Sequence, residues 1–373
     1  MKQRKYTLPR HTNLAKQSSR TGAFFIDLAI FGALLLGLLF GCFRFILNPV
    51  AQPYKDELEQ EQINSHLRFR DENGELQIIA NDAPYEEYRD TISYYYMNYL
   101  TGNVTEPGTG SRLANEPIKN DDGIEVSKAE YYTVEWFNKS VLQIKASDPE
   151  EDSNCLFTYQ KIDGVYDKTK IGVPKDLTKV KAEDINKHMQ NAFLSAYVGH
   201  FNELSYVVDL TNKMSFVYSL EFVLSGILAG FLTYIVAPLI FRQGRTVGKK
   251  VFKLALATSD GYEFHNYQLA MRFMPLVVVL LSFLIPIWND FFLLILIPMI
   301  VFLVSFALAM ASPKKAALHD FTAKTIVVDD KTSLIFENEL QEEAYIAKED
   351  NLEPEETPEE SGEEPELRYE KWD

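Results

Sequence analysis

The chain has 373 residues, a formal net charge of −16 and 46% hydrophobic residues. Its charge is segregated: residues 1–47 carry seven Lys/Arg and one Asp, residues 48–215 carry 17 basic and 29 acidic, residues 216–328 nine and five, and residues 329–373 four and 18. The two basic segments are also the hydrophobic ones, which excludes a uniformly acidic soluble protein and fits membrane spans with cationic inner flanks.

Residues 1–20 are polar and basic, with Lys2, Arg4, Lys5, Arg10, Lys16 and Arg20 and no acid. The positive-inside rule keeps such an end in the cytoplasm. A hydrophobic run of roughly 25 residues follows, long enough for a transmembrane helix over 21–47. It is too long for a signal peptide, and no small-residue cleavage site follows it. Leu39-Phe40-Gly41-Cys42 approaches a lipoprotein cleavage box, but the bulky Phe40 and the apolar residues past Cys42 favour an ordinary buried cysteine. Asn48-Pro49 is read as the end of this span.

Residues 48–215 read as an extracytoplasmic α+β domain, long enough to bury its own core. Asn73-Gly74 and Asp163-Gly164, flanked by apolar residues, predict hairpins. Tyr85–Tyr99 and Ser127–Ile144 read as Tyr-rich helices, and residues 107–123 as a loop. From about Lys175 a helical pattern runs on towards the next span. Cys42 and Cys155 lie in different segments, so this domain cannot close a disulfide of its own, which points to a bacterial context.

Three further spans are expected at residues 216–241, 273–287 and 291–311, the last two joined tightly through Trp288-Asn289-Asp290. The loop 242–272 and the stretch after the fourth span are basic, so both are placed in the cytoplasm with the two termini. Residues 329–373 are acidic and rich in Pro and Glu, and the composition predicts a disordered tail. The expected architecture is thus an α-helical polytopic protein of the plasma membrane, with four transmembrane helices and one inserted outside domain.

Three clusters face the cytoplasmic side. The first is Arg20 with Asp27, seven residues apart and so on one helix face. The second is Gly244-Arg245-Thr246-Val247-Gly248-Lys249-Lys250, followed by Lys253-Leu254 and Asp260-Gly261, and the third is Leu318-His319-Asp320-Phe321-Thr322-Ala323-Lys324-Thr325-Ile326-Val327-Val328. In this order they resemble the RDD family of small bacterial membrane proteins, named for one Arg and two Asp. The resemblance covers about residues 18–47 and 216–328, takes Arg20, Asp27 and Asp320 as the family's three charges, and includes Arg272 before the third span. Residues 48–215 stand where the family usually has a short loop. The resemblance implies transport of an unidentified ligand, the usual suggestion for a family without a settled activity.

A carboxylate inside an apolar span costs about 2.5–3.5 kcal/mol, so Asp27 demands a reason. It either binds a proton or cation, with Arg20 tuning it, or hydrogen-bonds a neighbouring helix as packing. His319 and Asp320 either relay a proton, or Asp320 pairs with Arg245 or Lys249 to fix the inner loops. Gly244–Lys250 lacks P-loop spacing, and its cations suit lipid headgroups better than nucleotides. Arg20, Asp27 and Asp320 are therefore expected to form one charge site, supported by His319, Arg245, Lys249 and Arg272. No cofactor, metal, nucleic acid or enzymatic constellation is indicated. The expected partners are the bilayer, a second copy of the chain and an envelope ligand of the outside domain. Two function classes remain: a transporter of a cation or small solute, and a membrane-anchored sensor or scaffold.

Overall fold

The computed structural model describes residues 12–144, 155–176, 178, 180–284 and 291–350. The chain divides into two compact units, Met1–Gly41 with Val223–Asp373, and Cys42–Phe222.

Helix α1 (Gln17–Leu38) opens with the polar run Gln17–Thr21 and is apolar from Gly22 onward except for Asp27, and a short π-helical stretch, Leu39–Phe43, leads from it into α2 (Arg44–Asn64). The helix therefore does not end at Asn48-Pro49. Pro49 and Pro53 both lie inside α2. A proline removes one backbone donor but its fixed φ is helical, and the following run Lys55–Gln62 is rich in helix formers, with Lys55 and Glu59 paired one turn apart at 3.7 Å.

In the unit Cys42–Phe222 the remaining elements are short. Strands β1 (Phe69–Arg70) and β2 (Leu76–Gln77) pair antiparallel about Asn73-Gly74, as the turn residues predict. Helix α3 (Tyr85–Tyr94) runs into a π-helical turn, Tyr95–Tyr99. Strands β3 (Ile118–Lys119) and β4 (Glu125–Val126) pair next. The predicted helix over Ser127–Ile144 is two short ones, α4 (Lys128–Tyr131) and α5 (Val134–Ser140), because Ser127 and Thr133 each cap a separate start. Strands β5 (Phe157–Thr158) and β8 (Val173–Pro174) bracket the hairpin of β6 (Gln160–Ile162) and β7 (Val165–Asp167) at Asp163-Gly164. Helix α6 (Ala182–Leu194) continues through a π-helical stretch, Ser195–Phe201.

The core of this unit is aromatic, with Tyr88, Tyr95, Tyr99, Phe137, Phe157, Phe193 and Phe201 all essentially unexposed. Buried tyrosines need partners for their hydroxyls. Tyr95 Oη lies 2.7 Å from His200 Nδ1, and Tyr132 Oη lies 3.3 Å from His200 Nε2. Tyr99 donates to Glu61 Oε2 at 2.6 Å, and Arg112 Nε donates to Glu61 Oε1 at 2.9 Å. Burial lowers the His200 imidazole from its ordinary value.

Helix α7 (Ser205–Phe231) is followed by a π-helical turn, Leu232–Val236, and by α8 (Ala237–Phe241). Among the described residues, Gln17–Asn64 and Ser205–Phe241 are the two helical stretches long and apolar enough to cross a membrane. In α1 the buried residues are Ala23 and Asp27, while Phe24, Phe25, Leu28 and Leu36 are exposed. A helix that buries its carboxylate and exposes its phenylalanines is built for a lipid surround. Past α9 (Val247–Val251), strand β9 (Leu254–Thr258) leads to α10 (Asn266–Ser282). This helix starts a turn or two before the expected residue 273, because His265 N–H donates to Gln268 Oε1 at 2.9 Å and anchors its first turn. Helix α11 (Phe291–Ala311) agrees with the fourth apolar run, while the Trp288-Asn289-Asp290 connection lies outside the described residues. Helix α12 (Leu318–Ala323) precedes strand β10 (Thr325–Asp329), which pairs antiparallel with β9 over five residues. Ala15 N–H donates to Val327 O at 3.1 Å and Asp329 N–H to Asn13 O at 3.0 Å, so the segment before α1 lies along β10.

The expected disorder over 329–373 is corrected in its first half. Helix α13 (Glu339–Asp350) is formed, and Phe336 and Tyr345 pack ring to ring. Tyr262 Oη donates to Glu342 at 3.1 Å and Glu263 N–H to Phe336 O at 2.9 Å. These few apolar and hydrogen-bonded contacts supply what the bulk composition lacks. Residues 351–373 lie outside the described residues.

Candidate functional site

The site is assembled entirely within the unit Met1–Gly41 with Val223–Asp373. Arg20 and Asp27 are nearly two turns apart on α1. The chain leaving α8 turns back through Arg242, Gln243 and Gly244, all three with positive φ. Gly244 must be glycine on two counts: a left-handed backbone, and a Cβ that would lie 2.5 Å from Leu256 Cδ1. Thr246 then starts α9, its hydroxyl accepting from Lys249 N–H at 3.4 Å.

This short helix lies directly on α1. A Cβ on Gly248 would stand 2.2 Å from Ala23 O and 3.0 Å from Asp27 Cγ, so only glycine allows the approach. Gly22 on α1 makes room in the same way for the Phe252 ring. Both Asp27 oxygens are used at this contact. Oδ1 accepts from Gly248 N–H at 2.8 Å, and Oδ2 accepts from the Thr246 hydroxyl. Asp27 is 4% exposed, so these two bonds replace the water it lacks.

Asp320, on α12, is 1% exposed and sits between two arginines. Its Oδ2 lies 3.1 Å from Arg20 Nη2 and 3.2 Å from Ala317 N, while Oδ1 is paired with Arg272 Nη1 from α10. His319 Nε2 lies 3.5 Å from Oδ1. Burial alone would raise the Asp320 carboxyl, but Arg272, His319, Arg20 and Lys249 together hold it below the usual carboxylate range. Burial, with Arg272, Lys249 and Arg20 adding to it, lowers His319 to about 4 against the pull of Asp320. Lys249 is lowered to about 7, mainly by burial and then by Arg272, with Asp320 and Asp27 opposing. Arg272 also reaches Thr325 Oγ1 at 2.5 Å, and Gln268 Nε2 donates to Ala323 O at 2.9 Å, so α10, α12 and β10 are tied together.

Six of the seven residues singled out in the sequence line one cavity of about 500 Å³: Arg20, Asp27, Lys249, Arg272, His319 and Asp320. Arg245 does not. It pairs with Asp330 at 2.6 Å, so the expected bond from Asp320 to Arg245 or Lys249 is replaced by the bonds to Arg20 and Arg272. Nor does Arg20 serve Asp27; its partner is Asp320, and Asp27 belongs to the Thr246–Gly248 turn. Among the described residues no cluster of His, Cys, Asp and Glu could hold a metal ion.

Comparison with known proteins finds the RDD family, whose model matches residues 191–324. The chain carries an RDD family domain. The match takes in α7 to α12, with Gly244–Lys250, Arg272, His319 and Asp320, while α1 with Arg20 and Asp27 lies outside it. The RDD domain found here agrees with the resemblance read from the sequence, and with it the chain is an integral membrane protein. No curated protein matches the chain, and no solved structure does.

Thr246 and Gly248 are the partners that sequence reasoning missed. Gly248 stood in the quoted motif without a role. The signal available was a small residue two places after a Thr, opposite a carboxylate that needed donors.

Proposed function

We propose that the chain is a membrane-anchored sensor or scaffold of the plasma membrane, in which the buried charges of the RDD domain fasten its cytoplasmic-side segments to α1. Four helices cross the bilayer in this reading, α10 and α11 being the shorter pair. Both termini are cytoplasmic, and residues 48–215 lie outside, where they meet an envelope ligand. No enzymatic activity belongs to it. A second copy of the chain is a further partner.

The observation that carries this reading is that both carboxylates are already committed. Asp27 accepts from Thr246 and Gly248, and Asp320 holds Arg20 and Arg272. A cation entering the site would first have to break those bonds. Transport of a small solute is the second reading, favoured by the cavity of about 500 Å³ beside the same charges.

The fastening role is tested by equilibrium unfolding of the full chain in detergent. Asp320→Asn leaves two buried guanidinium groups without their anion, and should cost about 3–5 kcal/mol. Combined with Arg20→Gln, the double variant should lose roughly 1–3 kcal/mol less than the two single losses added. Neutral single variants would show that these charges fasten nothing.

A further inference from the structure

The cavity beside the charge cluster is two-faced. One end carries Arg20, Lys249, Arg272, Asp27 and Asp320, and the wall carries Phe24, Leu276, Val301, Phe302, Phe306 and Ala309. At the polar end the guanidinium groups of Arg20 and Arg272, and the Lys249 amine that burial lowers to about 7, face two carboxylates. Desolvation and the neighbouring Arg272, Lys249 and Arg20 lower His319, against the pull of Asp320.

The carboxylates do not reach every cation. Asp27 is spent on two uncharged donors and Asp320 on the two arginines. Among the described residues no carboxylate lies within ion-pair distance of Lys249. The Arg20 side chain is nine-tenths buried, and its Nη1 meets no acceptor although Nη2 is bonded. A buried guanidinium N–H without an acceptor, beside an amine with no carboxylate in reach, calls for an anion.

The wall says what kind. A free phosphate would need a small polar cradle, whereas most of this cavity is apolar and large. Phe24, on a helix long and apolar enough to cross a membrane, and Phe302 and Phe306, on the shorter apolar helix α11, are each about half exposed, so the cavity wall continues onto an exposed apolar surface. A chain from the bilayer can lie along it without leaving the hydrocarbon. Basic pockets between membrane helices are the kind of site that takes acidic lipid headgroups.

We propose that this cavity holds an anionic phospholipid, with its phosphate at the Arg20–Lys249 end and an acyl chain along Phe24, Phe302 and Phe306. The lipid phosphate accepts from Arg20 Nη1 and favours the charged form of Lys249. This holds whether the RDD domain anchors a sensor or moves a solute, because it uses the donors that the Asp27 and Asp320 bonds leave over.

The test is thermal unfolding of the full chain, purified in a neutral detergent, with three additions: dioleoylphosphatidylglycerol, dioleoylphosphatidylcholine and inorganic phosphate. A lipid that binds the folded state at about ten times its Kd should raise the melting temperature by roughly 2–4 °C. That shift is expected with phosphatidylglycerol and not with the other two. Lys249→Gln should lose most of it, and Ala309→Trp, which fills the apolar wall, should lose it while keeping the cations. If either variant fails to fold, the other and the headgroup preference of the wild type still decide the matter. Equal protection by phosphatidylcholine would overturn the proposal. So would a full shift from inorganic phosphate alone, which would mark a free-anion site, or an undiminished preference in both variants.

Discussion

Asp27 shows how one buried charge can set the sequence around it. A carboxylate 4% exposed in an apolar helix needs donors, and the turn at Thr246–Gly248 provides a hydroxyl and a backbone N–H. The N–H can reach only because residue 248 has no side chain. Gly248→Ala should therefore push α9 off α1, with an overpacking cost of about 1–3 kcal/mol read as a lower melting temperature of the full chain. Unaltered stability in that variant would mean the two helices are not held in contact. Arg20, Asp27 and Asp320 were legible in the sequence because charges beside apolar runs are conspicuous. Their pairing was not, since Arg20 lies in one helix with Asp27 yet reaches Asp320, 300 positions away.

At the scale of elements, apolar periodicity and Asn-Gly or Asp-Gly turns placed α1, α3, α7, α11 and the hairpins at Gly74 and Gly164. The β9–β10 pair went unread. Leu254–Thr258 and Thr325–Asp329 are short, largely apolar runs, one in a loop defined by its charges and the other just before the acidic tail, and nothing local joins them. Their partner is non-local, so periodicity is silent. The π-helical turns were also invisible, since their cause is tertiary. At Tyr95–Tyr99 the turn carries Tyr95 and Tyr99, whose hydroxyls meet His200 and Glu61. Tyr99→Phe removes the donor at 2.6 Å from Glu61, and should cost about 1–3 kcal/mol because that carboxylate is 6% exposed. Protection of the Cys42–Phe222 unit against limited proteolysis should fall accordingly; wild-type resistance would count against a structural role for this hydroxyl.

For the molecule as a whole, the proposed topology is open to cysteine labelling in intact cells. Cys155 is a poor reporter, being buried, and Gly244 a worse position, where a side chain would strike Leu256. In a Cys42→Ser background, Glu72→Cys in the exposed β1–β2 turn should label from outside, and Asp260→Cys in the turn after β9 should not. The reverse pattern would invert the protein. Whether the buried charges fasten the helices or carry ions is decided by flux in proteoliposomes. Proton-coupled Na⁺ and K⁺ movement is followed with an enclosed pH dye, in vesicles holding the wild type or Asp27→Asn. If the charges are fasteners, neither protein moves ions above empty vesicles, and the variant differs only by a lower melting temperature. Wild-type flux that Asp27→Asn abolishes at normal protein levels would show instead that the charges carry ions.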